Sequence, residues 1–220
     1  MSPMMARKRV GILISGRGSN MMALVEAARA SDYPAEIVTV ISNRPDAAGL
    51  AWAASQGLAT VAIDHKTFSS REDFESELDR TLIAAGVELV CCAGFMRLMT
   101  PGFVERWQGR MLNIHPSLLP SFKGLDTHAQ TLAAGVKIAG CTVHFVVPEM
   151  DSGPIIAQAA VPVADDDTAD TLAARILAAE HKLYPHALHL IASGAARLDG
   201  HRVSGGNSVN QAAALFSPRC

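Results

Sequence analysis

The sequence predicts an α/β fold: a mostly parallel open sheet with helices on both faces and an antiparallel strand pair towards the C-terminus. In the first half of the 220 residues, short apolar runs alternate with longer segments of helical periodicity. This alternation is typical of parallel strands joined by right-handed helical crossovers. A glycine-rich turn follows the first apolar run, at residues 15–20. In the second half, two longer strand-like segments flank a turn at residues 148–154, which predicts the antiparallel pair.

The first half contains five predicted strands and four predicted helices. The strands are expected at residues 10–14, 36–41, 60–63, 88–92 and 110–115. The helices are expected at residues 20–30, 46–56, 70–86 and 101–107. Ser69 with Glu72 predicts a capping box at the start of the third helix. The fourth strand is nearly all apolar, as expected of a parallel strand that is covered on both faces.

The second half has a different pattern. Strands are expected at residues 136–147, 155–163 and 196–203, and a long helix at residues 168–191. Asp165, Asp166 and Asp167 precede that helix, where the helix dipole favours negative charge. No internal repeat and no strong linker divides the sequence. We therefore predict a single domain over residues 9–203, with loose termini at residues 1–8 and 205–220.

Composition argues against several functional classes. Apolar residues make up 49% of the chain and charged residues 18%, which is typical of a globular protein. The net charge of −2 argues against non-specific nucleic-acid binding, because that requires a concentrated basic surface. No run of 18 apolar residues exists, and the apolar stretch after residues 7–9 is too short for a signal peptide. The four cysteines form no Cys-x-x-Cys pair, so we expect a cytoplasmic protein without a metal, membrane or nucleic-acid partner.

The turn Ser15-Gly-Arg-Gly-Ser-Asn20 lies between the first strand and the first helix. Glycines allow a tight turn, and the free amide groups at the start of a helix bind anions. A dinucleotide fingerprint is not matched, because Met21 replaces the third glycine and the second strand ends at Ser42-Asn43 instead of an acid. No Gly-Lys-Ser/Thr of a Walker loop is present either. A single phosphate fits this turn; the alternative is a tight strand–helix turn without a ligand.

Asn113 and His115 are separated by one residue on a predicted strand, so their side chains project from the same face. Pro116 forces His115 into an extended conformation and ends the strand. Both side chains are therefore expected at the carboxyl edge of the sheet, where open α/β folds bind ligands. An amide that donates to a developing oxyanion and an imidazole that moves a proton suit an acyl-type transfer.

Such a transfer to an amine also needs a base for the attacking nitrogen. Asp151, in the turn at residues 148–154, is the best-placed carboxylate for that role. The structural alternative is equally open at this point, because aspartates in turns often bond their own backbone.

Two stretches of the sequence resemble the folate-dependent formyltransferases: Asn113-Ile-His-Pro-Ser-Leu-Leu-Pro120 and Cys141-Thr-Val-His-Phe-Val-Val-Pro-Glu-Met-Asp151-Ser-Gly-Pro-Ile155. The similarity runs from about Arg9 to Val203. The turn at residues 15–20 and the overall length are similar to the members that formylate glycinamide ribonucleotide. The resemblance implies a Rossmann-like formyltransferase fold, 10-formyltetrahydrofolate as formyl donor, glycinamide ribonucleotide as acceptor in purine biosynthesis, no metal, and a monomer or homodimer.

The resemblance also implies roles for individual residues. The catalytic residues would be Asn113, His115 and Asp151, with the aspartate paired to the histidine and acting partly through water. The acceptor nucleotide would be bound by Gly18, Ser19, Asn20, Met96 and Glu180. The folate donor would be bound by Arg71, Met96, Arg97, Leu98, Met99, Val146, Val147, Met150 and Asp151. Without the resemblance, Glu180 is interpreted as an ordinary charge on a helix surface, and Arg71 equally well as a solvated charge.

Two further positions bear on the comparison with the family. Asp126 stands where members often have His, whereas His128 is retained, so we expect altered local hydrogen bonding without loss of activity. His144 has apolar neighbours and is interpreted as structural, although the motif places it near the site.

Other members of the same family are the first alternative. Methionyl-tRNA formyltransferase adds a basic C-terminal domain, for which about 17 residues remain after residue 203. Formyltetrahydrofolate deformylase adds an N-terminal regulatory domain, whereas the first strand is expected within ten residues of the start. The second alternative is a non-catalytic nucleotide-binding module, which explains the glycine turn but not Asn113, His115 and Asp151 together.

Overall fold

A computed structural model describes residues 6–206 and Ser217. The strands are β1 (Lys8–Ile14), β2 (Ala35–Ser42), β3 (Thr60–Ala62), β4 (Leu89–Cys92), β5 (Met111–His115), β6 (Ile138–Phe145), β7 (Ile155–Pro162), β8 (Ala196–Asp199) and β9 (Arg202–Gly205). The helices are α1 (Ser19–Ala28), α2 (Ala48–Ser55), α3 (Arg71–Ala84), α4 (Pro101–Arg106), α5 (Thr127–Ala133) and α6 (Ala169–Ala192).

Seven strands form one sheet in the order β3-β2-β1-β4-β5-β6-β7. The neighbours from β3 to β5 pair in parallel, whereas β6 and β7 are antiparallel. The predicted fold class, a mostly parallel sheet with an antiparallel pair, is confirmed. The strand order reverses between β1 and β4. Open parallel sheets bind ligands beyond the carboxyl ends of the strands at such a reversal, so the loops that follow β1 and β4 lie where a ligand is expected.

The chain forms two compact units. The first comprises the residues up to Asn113 together with Phe145–Pro148, and the second comprises Ile114–His144 and the residues from Glu149 onward. In the first unit, β1, β2, β4 and β5 share an apolar core with α3 and α4. The buried residues of this core are Leu13, Ile41, Ile63, Phe74, Leu78, Leu82, Val87, Val90, Cys92, Phe103, Trp107 and Met111. This core fixes the positions at which the parallel strands end.

In the second unit, α6 packs along β7 and also contacts α5 and β8. A reciprocal capping pair starts the helix: the Thr168 hydroxyl accepts from the Thr171 N–H at 3.2 Å, and the Thr171 hydroxyl accepts from the Thr168 N–H at 2.9 Å. The buried positions recur at intervals of mostly three or four residues, the period of an amphipathic helix. They are Leu172, Ile176, Glu180, Leu183, Tyr184, Ala187, Leu188 and Ala192. The buried face of α6 therefore includes one carboxylate.

Three local predictions are wrong. Residues 196–203 are not one strand, because β8 and β9 pair as an antiparallel hairpin with Gly200 between them at a φ of +59°, a conformation that glycine adopts readily. Helix α5 was not predicted, since seven residues are too few to show a clear period. The capping box of Ser69 with Glu72 does not form: the Ser70 hydroxyl caps α3 by accepting from the Asp73 N–H at 3.0 Å.

The structure describes only the inner ends of the two predicted termini. Strand β1 begins at Lys8, and the Arg7 guanidinium donates to the Ala35 carbonyl at 3.0 Å, so both residues belong to the folded unit. Gly205 is the last residue of β9. The predicted terminal residues 1–5, 207–216 and 218–220 lie outside the described part of the chain. Within the described residues, no helix combines the length and apolar character that crossing a bilayer requires.

Candidate active site

The glycine turn of the first unit presents the amide groups at the start of α1. Gly18 is the N-cap residue with a φ of +72°, a left-handed conformation that favours glycine. It has no side chain that could cap the helix, so the amides of the first turn, where Ser19 and Asn20 lie, receive no side-chain cap from it. Gly49, in α2, packs closely against this turn, because its N–H donates to the Gly16 carbonyl at 3.0 Å. A Cβ at Gly49 would lie 3.0 Å from the same oxygen, so a larger residue would crowd the turn. The arrangement suits a single anion.

The loop between β4 and α4 presents apolar side chains at the other side of the strand-order reversal. Met96 is 69% exposed and Leu98 is 63% exposed, which offers a surface for a planar heterocycle. Arg97 lies over the Phe74 ring at 5.3 Å. The far end of the loop is fixed by the buried Glu75, whose carboxylate accepts from the Thr100 N–H at 2.7 Å. The apolar tips are thus carried by a loop that is anchored through its backbone.

Other residues that the resemblance predicts to bind the folate donor lie at several places in the first unit. Arg71 is the first residue of α3 and is exposed, and Met99 is partly buried against the apolar core. Val146 and Val147 are half-buried, and the Val146 N–H donates to the Met111 carbonyl at 2.9 Å. This bond places the Val146 backbone beside the start of β5, the strand that carries Asn113.

His115 and Asp151 form a buried pair in the second unit. Nδ1 of His115 lies 3.4 Å from Oδ2 of Asp151, and the two side chains are 7% and 10% exposed. The same carboxylate oxygen accepts from the Gly124 N–H at 2.9 Å. Asp151 has a φ of +51°, a left-handed conformation that aspartate tolerates better than most non-glycine residues. The turn at residues 148–154 therefore aims this carboxylate at the histidine.

The contacts of the His115 ring determine which nitrogen carries a proton. Nε2 lies 2.9 Å from the carbonyl oxygen of Phe122. Because a carbonyl only accepts, Nε2 must hold a hydrogen. In a neutral ring, Nδ1 would then present a lone pair to the Asp151 carboxylate, which is unfavourable. The contact between His115 and Asp151 is complementary when Nδ1 also carries a proton, as an imidazolium beside a carboxylate.

Two more histidines adjoin this pair, and residue patterns alone did not assign them a role. Nε2 of the buried His144 lies 3.7 Å from Oδ1 of Asp151, so its interpretation as purely structural is incomplete. Nε2 of His128 is buried and has no hydrogen-bond partner within the described residues. Burial, and secondarily the positive charge of His115, lower the pKa of His128. The sequence signals for this cluster were the spacing of His144 and Asp151 within one motif and the retained His128.

Glu180 is not the ordinary surface charge that its helical position suggested. Glu180 is only 5% exposed and lies on the buried face of α6. Burial of the Cys141 thiol, and secondarily the negative charge of Glu180, raise the pKa of that thiol to about 12. The neighbouring His181, which the sequence did not single out, has a buried Nε2 without a partner in the described residues. Burial lowers the pKa of His181.

The remaining predicted residues are placed as follows. Asn113 lies on β5, two residues before His115, and is half-buried. Met150 is 52% exposed next to Asp151 in the turn. Asp126 is exposed, with a φ of +54°, at the start of α5, and its side chain makes no capping bond there. Within the described residues, no group of three or more His, Cys, Asp or Glu side chains is arranged to hold a metal ion.

Residues 8–188 match the family model described as formyl transferase. The chain belongs to the formyl transferase family. The resemblance found in the sequence motifs is thereby confirmed. The phosphoribosylglycinamide formyltransferase of Escherichia coli (strain K12) is 42% identical over 199 residues, which cover 87% of this chain and 94% of that protein. The crystal structure of glycinamide ribonucleotide transformylase 1 from Symbiobacterium toebii has a TM-score of 0.88 and 47% identity, and the match covers 90% of this formyl transferase and 94% of that chain.

A longer relative has the same segment within a multifunctional chain. The trifunctional purine biosynthetic protein adenosine-3 of Bos taurus is 51% identical over 192 residues, which cover 87% of this formyl transferase. That segment is 19% of the relative, so this chain spans about a fifth of its length.

Proposed function

We propose that this formyl transferase moves the formyl group of 10-formyltetrahydrofolate to the amine of glycinamide ribonucleotide. The products are formylglycinamide ribonucleotide and tetrahydrofolate, in de novo purine biosynthesis. The observation that carries the proposal is the buried pair of His115 and Asp151, 3.4 Å apart, with His115 on the strand that also carries Asn113. The names of the relatives, which specify this acceptor over almost the whole of the bacterial proteins, support it.

The catalytic residues are Asn113, His115 and Asp151. The amine nitrogen attacks the formyl carbon, the bond from that carbon to the folate nitrogen breaks, and one proton moves from the amine to the leaving nitrogen. Asp151 takes the amine proton, directly or through water, and the His115–Asp151 pair returns a proton to the leaving nitrogen. The Asn113 amide donates to the oxygen that becomes negative. His115, 3.4 Å from the Asp151 carboxylate, holds the two groups of the pair together for this exchange.

Two groups of residues bind the substrates. Gly18, Ser19 and Asn20 hold the phosphate of the acceptor at the start of α1, and the buried Glu180 accepts from its ribose hydroxyls. Met96 lies against both substrates. The folate donor contacts the loop after β4 and two flanking segments. Its residues are Arg71, Met96, Arg97, Leu98, Met99, Val146, Val147, Met150 and Asp151.

The organisation of the protein completes the proposal. Residues 9–203 act as a single formyltransferase domain, as a monomer or homodimer in the cytoplasm. Neither a metal, a nucleic acid nor a membrane takes part in the reaction. These statements follow from composition, from the cysteine pattern and from the resemblance to the family.

One activity assay distinguishes this function from the deformylase alternative. The purified protein receives glycinamide ribonucleotide with 10-formyltetrahydrofolate or its 5,8-dideaza analogue, and the deformylated folate is followed by absorbance. We expect turnover only when the amine is present. Release of formate without the amine would instead identify a deformylase, and absence of any turnover would leave a nucleotide-binding module.

A further inference from the structure

The hydroxyl of Ser15 joins the two loops that flank the strand-order reversal. Ser15 follows β1 directly, and Gly94 and Met96 lie in the loop after β4, the neighbouring parallel strand. The Ser15 hydroxyl oxygen accepts from the Met96 N–H at 2.7 Å. The Ser15 N–H donates to the Gly94 carbonyl at 3.2 Å. One residue of the glycine turn therefore holds the backbone of the apolar loop at two points.

Asn43 determines the direction of this contact. A serine hydroxyl has one hydrogen, and that of Ser15 donates to Oδ1 of Asn43 at 2.6 Å. Its lone pairs then face the Met96 N–H, as the 2.7 Å distance requires. Ser15 and Asn43 are 5% and 3% exposed, so water does not readily replace either partner. Asn43 follows β2, so the residues after three adjacent strands, β2, β1 and β4, form one directed chain of hydrogen bonds.

Removal of the hydroxyl would leave the Met96 N–H, whose bond to Ser15 is partly buried, without its acceptor. Such an amide is strongly disfavoured, and the loop after β4 relieves it most easily by moving, because its tips, Met96 and Leu98, are exposed. The remote end of the loop would stay fixed, since Thr100 is bonded to Glu75. The displacement would be concentrated at residues 94–98.

We propose that Ser15, oriented by Asn43, is a positioning residue that sets the loop at residues 94–98 to receive the heterocycle of the folate donor. The inference rests on the proposed function, which assigns this loop to the donor. The alternative is that Ser15 stabilises the glycine turn at residues 15–20, to which the phosphate of the acceptor is assigned. The two roles differ in which substrate is affected when the hydroxyl is lost.

The test compares Ser15→Ala with Ser42→Ala. Ser42 is also a buried serine at the carboxyl end of a neighbouring strand, but among the described residues its hydroxyl accepts from the Arg44 N–H, at 3.0 Å, and not from the loop after β4. Calorimetric titration measures the dissociation constant of 5,8-dideazafolate for each variant, and amide hydrogen exchange measures the protection of Met96. For Ser15→Ala we expect about five- to tenfold weaker binding of the folate analogue and faster Met96 exchange. For Ser42→Ala we expect both readouts to stay at the wild-type values.

Two further variants keep the result interpretable if Ser15→Ala folds poorly. Ser15→Thr keeps the hydroxyl and should retain the affinity for the folate analogue. Asn43→Ala should weaken it, and Asn43→Ala combined with Ser15→Ala should be no weaker than Ser15→Ala alone, because both act through one hydrogen-bond chain.

The outcomes distinguish this inference from the proposed function. Unchanged folate affinity and unchanged Met96 exchange in Ser15→Ala would overturn the inference, as would a loss confined to the KM for glycinamide ribonucleotide. A wild-type protein that binds 5,8-dideazafolate but does not turn over would remove the proposed reaction and leave the binding comparison valid. A wild-type protein that does not bind 5,8-dideazafolate would overturn both.

Discussion

Nδ1 of His115 lies 3.4 Å from Oδ2 of Asp151, and the opposite nitrogen of the same ring is committed to the Phe122 carbonyl. Both ring nitrogens therefore face acceptor oxygens, so the part that either side chain plays in proton transfer depends on the other.

Asp151→Asn tests the carboxylate with little disturbance of the backbone. Asparagine tolerates the left-handed conformation that Asp151 adopts, and its amide oxygen can still accept from the Gly124 N–H. We expect kcat to fall roughly 10²- to 10⁴-fold because the proton acceptor is lost, while the affinity for the acceptor nucleotide stays within about twofold.

The matched control for this variant is Asp126→Asn. Asp126 has a similar φ of +54° but is exposed, so its replacement should leave kcat unchanged. Steady-state kinetics of both variants decide the point. A near-normal kcat for Asp151→Asn would exclude Asp151 from the proton transfer.

Gly18→Ala tests the anion site at the start of α1. Alanine in the left-handed conformation costs about 1–2 kcal/mol, so we expect the turn to shift and the KM for the nucleotide to rise about tenfold or more. Gly57→Ala is the control: Gly57 has a φ of +79° and lies after α2, with open space around it. The control should lose similar stability in urea unfolding and keep its nucleotide KM. Equal KM values in the two variants would contradict the assignment of the phosphate to this turn.

The partly buried histidines His128 and His181 predict a pH dependence of stability. Both have a pKa below the ordinary 6.5 because burial disfavours the charged ring. The unfolded chain therefore binds more protons than the folded chain below about pH 6.5, and the free energy of unfolding must fall as the pH decreases through that range. We expect the melting temperature of the wild type to fall more steeply between pH 7 and pH 5 than that of a His128→Gln, His181→Gln double variant. Parallel curves would show that these rings do not contribute.

Thr142→Val tests a buried hydroxyl that organises the segment after β5. The Thr142 hydroxyl donates to the Ser117 carbonyl at 2.7 Å, accepts from the Leu119 N–H at 3.0 Å, and accepts from the Gln158 amide at 2.9 Å. Valine has the same shape, so these partners lose their bonds without a change in volume. We expect the free energy of unfolding to fall by about 1–3 kcal/mol, measured by urea titration.

Thr131→Val provides the control for that variant. The buried Thr131 hydroxyl makes one bond in the described part of the chain, donating to the Thr127 carbonyl within α5 at 2.8 Å. A carbonyl at the start of a helix has other ways to be satisfied, so the loss should be smaller. If the two variants lost equal stability, burial and not the hydrogen-bond arrangement would explain the effect.

Much of the fold follows from patterns that are local in the sequence. The buried parallel strands, such as β4, are apolar throughout, and Pro116 marks the end of β5. The hairpin of β8 and β9 was missed although Asp199-Gly200 is a turn signal, because the apolar pattern of residues 196–203 continues on both sides of it. Helix α5 was missed because it is too short for its period to be recognised.

The candidate site also contains features that follow from local sequence patterns and features that do not. The placement of Asn113 and His115 on one strand follows from a two-residue period, which the sequence shows directly. The meeting of His115 with Asp151 depends on a left-handed turn 36 positions further along the chain, and no local pattern encodes that distance. The burial of Glu180 was equally hidden, because an amphipathic period identifies a buried face but not whether a carboxylate on it faces apolar or polar neighbours.

The bond from the Val146 N–H to the Met111 carbonyl has a consequence for the order of folding. It belongs to the first unit, yet its partners are separated by about 35 residues, most of which belong to the second unit. Closing a loop of that length carries an entropic barrier, and long-range strand contacts of this kind slow folding. During synthesis, the segment up to Asn113 can assemble its apolar core before residue 146 leaves the ribosome. The bond between Met111 and Val146 can form only after the intervening chain has been made.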